Sequence, residues 1–156
     1  MIEQPHFEYD IPYMKQAYAL ALKAADLGEV PIGAIVVDPH GKSIGFGYNK
    51  TETEQCQNAH AEAMAIKSAC ESLHDWRLDG CSLYVTLQPC MICYGLCALS
   101  RVERMVYGAP SPVYGFHIDT ADLPAVYTKH MKFFSSGVMS DEIEALLKGF
   151  FSARRG

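Results

Sequence analysis

Four residues in two short clusters carry the chemistry open to this chain. His60 and Glu62 stand two apart in Ala59-His60-Ala61-Glu62, and Cys90 and Cys93 stand three apart behind Pro89. Two thiolates and one imidazole make three zinc ligands. No other Cys or His has convincing spacing for a fourth, so a water completes the tetrahedron, the open arrangement of catalytic zinc. Zinc lowers the pKa of such a water, to about 7 in the most acidic sites. Two charge-donating thiolates make the ion a weaker acid here, so the reaction leans on a proton carrier. Glu62, beside a ligand but not itself one, fills that role.

The geometry sets conditions on the surrounding elements. Cys90 and Cys93 share a face only if they lie on a helix. Pro89 suits the first position of that helix, which runs to about Leu99. His60 and Glu62 would point apart inside a helix, so both must lie in a first turn. Asn58 is a good N-cap type for a helix with Ala61, Met64, Ala65, Ala69 and Leu73 on its apolar side. Both clusters then sit at helix starts, where unpaired N–H groups favour thiolate. Glu62 also suits such a start as a mere dipole-stabilising acid, but its neighbours favour catalysis.

The rest of the chain supplies a scaffold. Ile11, Met14, Tyr18, Ala21, Leu22 and Ala25 recur at helical spacing, with Gly28 as the stop. Pro31 to Val37 and Ser43 to Tyr48 form a hairpin around Asp38-Pro39-His40-Gly41-Lys42. Asn49 to Gln57 is a polar loop. Further strands are expected at Ser82–Thr86, Met105–Tyr107 and Met131–Ser135. Gly108 to Thr120 is a loop, and a brief helix spans Ala121 to Tyr127. A last helix starts at Ser140 and carries Ile143, Leu146, Leu147, Phe150 and Phe151. This order predicts one α/β domain over residues 1–156. Its form is a three-layer sandwich, a mixed five-stranded sheet with an antiparallel hairpin edge and helices on both faces.

Composition narrows the function classes. Charged residues are 20% and hydrophobic residues 49%, which excludes a disordered chain. No apolar run approaches the roughly 18 residues of a membrane span. A net charge of −5 excludes a broadly basic nucleic-acid coat but not a local basic patch. Met1 to His6 shows neither the basic nor the apolar region of a secretory leader, so a cytoplasmic location is expected. In that compartment the six cysteines are thiols or metal ligands. Cys56, Cys70, Cys81 and Cys97 read as inert thiols. His6, His40, His74 and His130 read as surface residues, and His117 borders the site if its loop does.

The pairing of H-x-E with P-C-x-x-C is a known signature of zinc-dependent nucleobase deaminases. With the segments around it, the chain resembles the bacterial tRNA-specific adenosine deaminases, the TadA type of the cytidine-deaminase-like superfamily. Glu29 to Ala34, Gly47-Tyr48-Asn49, Ala59 to Ile66, Leu83 to Leu87, Arg101 to Arg104, Val106 to Ala109 and Phe150-Phe151 before Arg154-Arg155 carry the likeness. Two departures stand out. Gln88 replaces the family's usual Glu before Pro-Cys. Pro110-Ser111-Pro112-Val113-Tyr114-Gly115-Phe116 replaces a segment that shapes the anticodon-loop surface, keeping only Gly115.

The resemblance implies one Zn2+ per chain on His60, Cys90 and Cys93, and hydrolysis of adenosine to inosine at the wobble position of a tRNA anticodon. It implies Glu62 as catalytic proton carrier and Asn49 as a hydrogen-bond partner of the flipped nucleotide. Val30, Pro31 and Leu87 become apolar walls for the base, and Arg154 and Arg155 phosphate contacts. Arg101 and Arg104 add local cations beside the sheet. A homodimer is expected by analogy. The alternatives are a deaminase of a free nucleobase, nucleoside or nucleotide, such as guanine or cytosine, and a zinc-stabilised binding module without catalysis. Glu62 and the missing fourth protein ligand count against the module.

Overall fold

A computed structural model describes residues 1–116 and 122–155. In chain order it runs β1 (Ile2–Glu3), α1 (Asp10–Asp26), β2 (Gly33–Val37), β3 (Ser43–Tyr48), α2 (Thr51–Glu54) and α3 (Ala61–Leu73). Then follow β4 (Ser82–Leu87), α4 (Met91–Leu99), β5 (Arg104–Ala109), a 3-10 turn (Ala125–Tyr127), β6 (Phe133–Ser135) and α5 (Ser140–Arg155). The sheet order is β1-β6-β5-β4-β2-β3. Strands β1, β6, β5 and β4 pair in parallel, and β2 pairs antiparallel with both β4 and β3. The antiparallel hairpin edge is as expected.

Alternation along the strands decides the layers, because successive side chains point to opposite faces. Ala34 and Val36 of β2, Leu83 and Val85 of β4, and Met105 and Tyr107 of β5 pack on one face with α3 and α4. Ile35, Val37, Tyr84 and Val106 pack on the other with α1 and Ile143 of α5. Helix α1 is held by Met14, Ala17, Ala21 and Ala24, a stripe at helical spacing. Helix α3 lies directly on β3 because a Cβ at Gly45 or Gly47 would overlap the Ala65 or Ala61 carbonyl oxygen.

A buried ion pair ties the α1 start to the sheet. Arg104 donates to both carboxylate oxygens of Asp10 at 2.7 and 2.9 Å and to Ser135 Oγ at 2.9 Å. The Tyr84 hydroxyl donates to the same carboxylate at 2.6 Å. Burial alone would raise the Asp10 pKa, but the bonds from Arg104 and Tyr84 outweigh it and hold the carboxyl below its usual range.

Several expectations are corrected. Among the described residues the sheet has six strands, not five. The extra one, Ile2–Glu3, is too short to show a period and is fixed by the Ile2 N–H donating to the Lys132 carbonyl at 2.8 Å. The polar loop contains α2, whose four residues are all unburied. Helix α3 begins at Ala61 with His60 as N-cap, not near Asn58. The Lys50 N–H donates to the Ala59 carbonyl at 2.9 Å, which keeps the chain outside the helix up to His60. Helix α4 begins at Met91 with Cys90 as N-cap, so Pro89 precedes it. The brief helix is a 3-10 turn, and Ala121 and His117 lie outside the described residues. Arg104 is a buried structural residue instead of a surface cation, and Arg101 faces Asp79 at 3.8 Å. Among the described residues, no helix is long and apolar enough to cross a membrane.

Candidate metal centre and active site

Two N-caps face each other where α3 and β4–α4 meet. His60 (φ −70°, ψ 150°) and Cys90 (φ −75°, ψ 174°) both have extended backbones. Neither position carries the Ser, Thr, Asp or Asn usually found there, and the His60 side chain makes no cap bond to its own helix. Both side chains turn to each other instead. The third member, Cys93, follows on the first turn of α4 and is buried.

His60 Nδ1 lies 3.3 Å from Cys93 Sγ and 3.7 Å from Cys90 Sγ. All three ligand atoms fall within 4.8 Å of one another. Tetrahedral zinc with ordinary Zn–N and Zn–S lengths sets nitrogen and sulfur about 3.5 Å apart. The observed spacings bracket that value, and the donor set is one a zinc ion prefers, so the residues fit the ion. Among the described residues, this is the group of His, Cys, Asp and Glu side chains close enough to hold a metal.

The electrostatics agree. The Cys90 thiol is pulled down to about 3 by hydrogen bonds from Cys93 and His60. Cys93 is pushed up by its bond to Cys90 and by burial. Of the two thiols, Cys90 is therefore the one that ionises more readily. His60 is raised, chiefly by its contact with Cys90, then by the charge on Glu62. Glu62 sits on the first turn of α3, 4% exposed. Burial raises its pKa, opposed by its own backbone N–H, the His60 charge and a bond from Cys93. A carboxyl held up in this way is fit to take and return protons.

The other expected residues fall into place unevenly. Asn49 is buried. Its amide nitrogen donates to the Val30 carbonyl at 3.4 Å, and its oxygen accepts from the Thr51 hydroxyl at 2.7 Å. It therefore serves as a turn residue at the end of β3. Pro31 is buried, and Val30 and Leu87 are half-buried, with Leu87 against the α1–α5 core. Arg154 stacks on Phe150 at 4.4 Å and donates to the Gly28 carbonyl, while Arg155 is exposed.

Three residues were not anticipated in a supporting role. Gln57 Oε1 lies 3.1 Å from His60 Nε2. Glu29, fully buried, accepts from the Thr53 N–H and hydroxyl at 2.6 Å each and from the Glu52 N–H at 3.0 Å. It thereby fixes the segment between Asn49 and Gln57. Gln88 is buried and bonded to two backbone groups. Gln88 carried a signal in the sequence as a departure from the family pattern, and Glu29 as the head of a segment that matches it; Gln57 carried none.

A sequence model of the MafB19-like deaminase family matches residues 9–155. The tRNA-specific adenosine deaminase of Bacillus subtilis (strain 168) is 44% identical over 144 residues, 92% of this chain and 89% of that one. A structure solved in a study of A-to-I editing by tRNA:A34 deaminases at the wobble position superposes with a TM-score of 0.78. It is 34% identical and covers 87% of this chain and 99% of its own. The guanine deaminase from Nitrosomonas europaea superposes with a TM-score of 0.75 at 26% identity, covering 90% of this chain and 83% of its own.

Proposed function

The chain belongs to the MafB19-like deaminases, and within them to the TadA-type family of tRNA-specific adenosine deaminases; on that premise we propose that it hydrolyses adenosine to inosine at the wobble position of a tRNA anticodon. The observation that carries this reading is the convergence of His60, Cys90 and Cys93 beside the buried carboxyl of Glu62.

His60 Nδ1 and the two cysteine sulfurs hold one zinc ion per chain. That ion, when bound, supplies the Lewis acid that makes water nucleophilic near neutral pH. Glu62 takes the proton of the attacking water and gives it to N1 of the purine as oxygen adds to C6. The same carboxylate then takes the remaining hydroxyl proton and passes it to the 6-amino nitrogen as the C6–N bond breaks and C6=O forms, leaving inosine and ammonia. The base reaches the site out of its stack, which costs little in an anticodon loop because its bases are already unpaired.

Val30, Pro31 and Leu87 wall the base, and Asn49, steadied by Thr51, hydrogen-bonds the nucleotide. Arg155, with Arg154 beside it, meets phosphates. The whole of residues 1–156 acts as one catalytic domain, as a homodimer in the cytoplasm. A second reading, a deaminase of a free nucleobase such as guanine, is favoured by the altered Pro110–Phe116 segment and by the likeness to a guanine deaminase.

The deciding assay offers zinc-loaded protein an anticodon stem-loop with adenosine at the wobble position, beside free adenosine, adenine, guanine and cytosine. Inosine in the RNA, with kcat/KM falling as salt rises, supports the tRNA reading. Turnover of a free base or nucleoside with the RNA ignored at every salt concentration overturns it.

A further inference from the structure

The two departures from the family pattern, Gln88 and the Pro110–Phe116 segment, touch each other. Gln88 lies at the end of β4, two residues before Cys90, and is 7% exposed. Its amide nitrogen donates to the Phe116 carbonyl at 2.9 Å. Its amide oxygen accepts from the Ser111 N–H at 3.0 Å. One carboxamide thus closes both ends of the segment. The choice of partner is dictated locally. Pro110 and Pro112 have no N–H, so Ser111 supplies the one backbone donor in that tripeptide, and Ser111 is buried.

Backbone contacts complete the staple. The Phe116 N–H donates to the Pro89 carbonyl and the Gly115 N–H to the Ser111 carbonyl, each at 2.9 Å. Gly115 forms an antiparallel bridge with Cys90. A Cβ at Gly115 would lie 2.5 Å from Gln88 Oε1, so the close fit needs glycine there. The result presents Val113 and Tyr114, 79% and 77% exposed, at the tip of a segment anchored to a zinc ligand's own backbone.

We propose that Gln88 is a positioning residue that fixes the Pro110–Phe116 segment as the substrate-facing rim of the metal centre, acting on RNA binding and not on the chemical step. This inference rests on the reading of the preceding subsection. A carboxamide suits the staple because it offers a donor toward Phe116 and an acceptor toward Ser111 at once at any pH, whereas an ionised carboxylate only accepts. With an ionised Glu at this position, the Phe116 carbonyl would face an acceptor and lose its partner.

The test uses the full-length, zinc-loaded protein and the wobble-adenosine stem-loop. Gln88→Met removes donor and acceptor at similar volume. Gln88→Glu keeps the acceptor alone and is the family's usual residue, so it serves if the methionine variant fails to fold. The expected result is a KM for the stem-loop raised roughly tenfold, with kcat changed less than about threefold and zinc stoichiometry unaltered. Amide exchange at Ser111 should accelerate in the same variants. An unchanged KM, or a collapse of kcat at full zinc occupancy, overturns the inference while leaving the tRNA reading standing. A wild type that ignores the stem-loop overturns both.

Discussion

Gln57 Oε1 lies 3.1 Å from His60 Nε2, while the other ring nitrogen of His60 faces Cys90 and Cys93. A hydrogen bond accepted from Nε2 places the ring proton there and leaves the Nδ1 lone pair for a metal. Such supporting bonds are typically worth about 10–100-fold in metal affinity, and the exposure of Gln57 puts it at the low end. Gln57→Leu should therefore weaken zinc binding about tenfold, read by competition with a chromogenic chelator. Unchanged affinity would show that His60 needs no help in choosing its tautomer.

Cys90→Ala should lose zinc and turnover together, because two ligands do not retain the ion against a chelator. Glu62→Gln should keep zinc and lose about 10²–10⁴-fold in kcat, the usual worth of a general acid–base group. Metal analysis beside single-turnover kinetics separates the two. An active Glu62→Gln enzyme would remove Glu62 from the mechanism.

What the sequence revealed, and what it hid, follows from how each contact constrains residue type. Metal coordination admits few side chains, so His60, Cys90 and Cys93 were legible at 30 residues' remove. The caps were misread for the same reason. Asn58 has the better capping side chain, but His60 and Cys90 hold the cap positions because their side chains are committed to the centre. Gln57 and Glu29 bond to a ring nitrogen and to loop groups, contacts that leave no periodic trace. Arg104 looked like a surface cation because its partner, Asp10, lies 94 residues away. Only the assembled sheet brings the two together.

That pair sets an acid limit on stability. Asp10 titrates lower in the folded chain than in the unfolded one, so it contributes stability above the unfolded pKa of about 4. The contribution is lost as pH falls through the folded value. Breaking the pair from either side leaves a buried charge unpaired, at a cost of about 3–5 kcal/mol. Arg104→Met should lower the midpoint of thermal unfolding by roughly 10 °C at pH 7. The difference from wild type should shrink in acid, as protonated Asp10 no longer needs its partner. A variant of equal stability at pH 7 would show that the pair does not repay its own desolvation.

The tail arginines differ in their commitments, and salt dependence can tell them apart. Arg154 is engaged with the Gly28 carbonyl and the Phe150 ring, whereas Arg155 is exposed at the end of α5. Each phosphate contact to a single strand contributes about 0.7 to the slope of log affinity against log salt. Arg155→Ala should flatten that slope by about this amount for an anticodon stem-loop, with no change in thermal stability. Arg154→Ala should lower stability as well, since it removes the tie between α5 and the Gly28–Glu29 turn next to Val30. The two variants are read by titrating labelled stem-loop at several salt concentrations, beside melting curves. With a net charge of −5 the chain has no general attraction for RNA, so local cations must carry the binding. If neither variant moves the slope, the phosphate contacts lie elsewhere and the tail only packs.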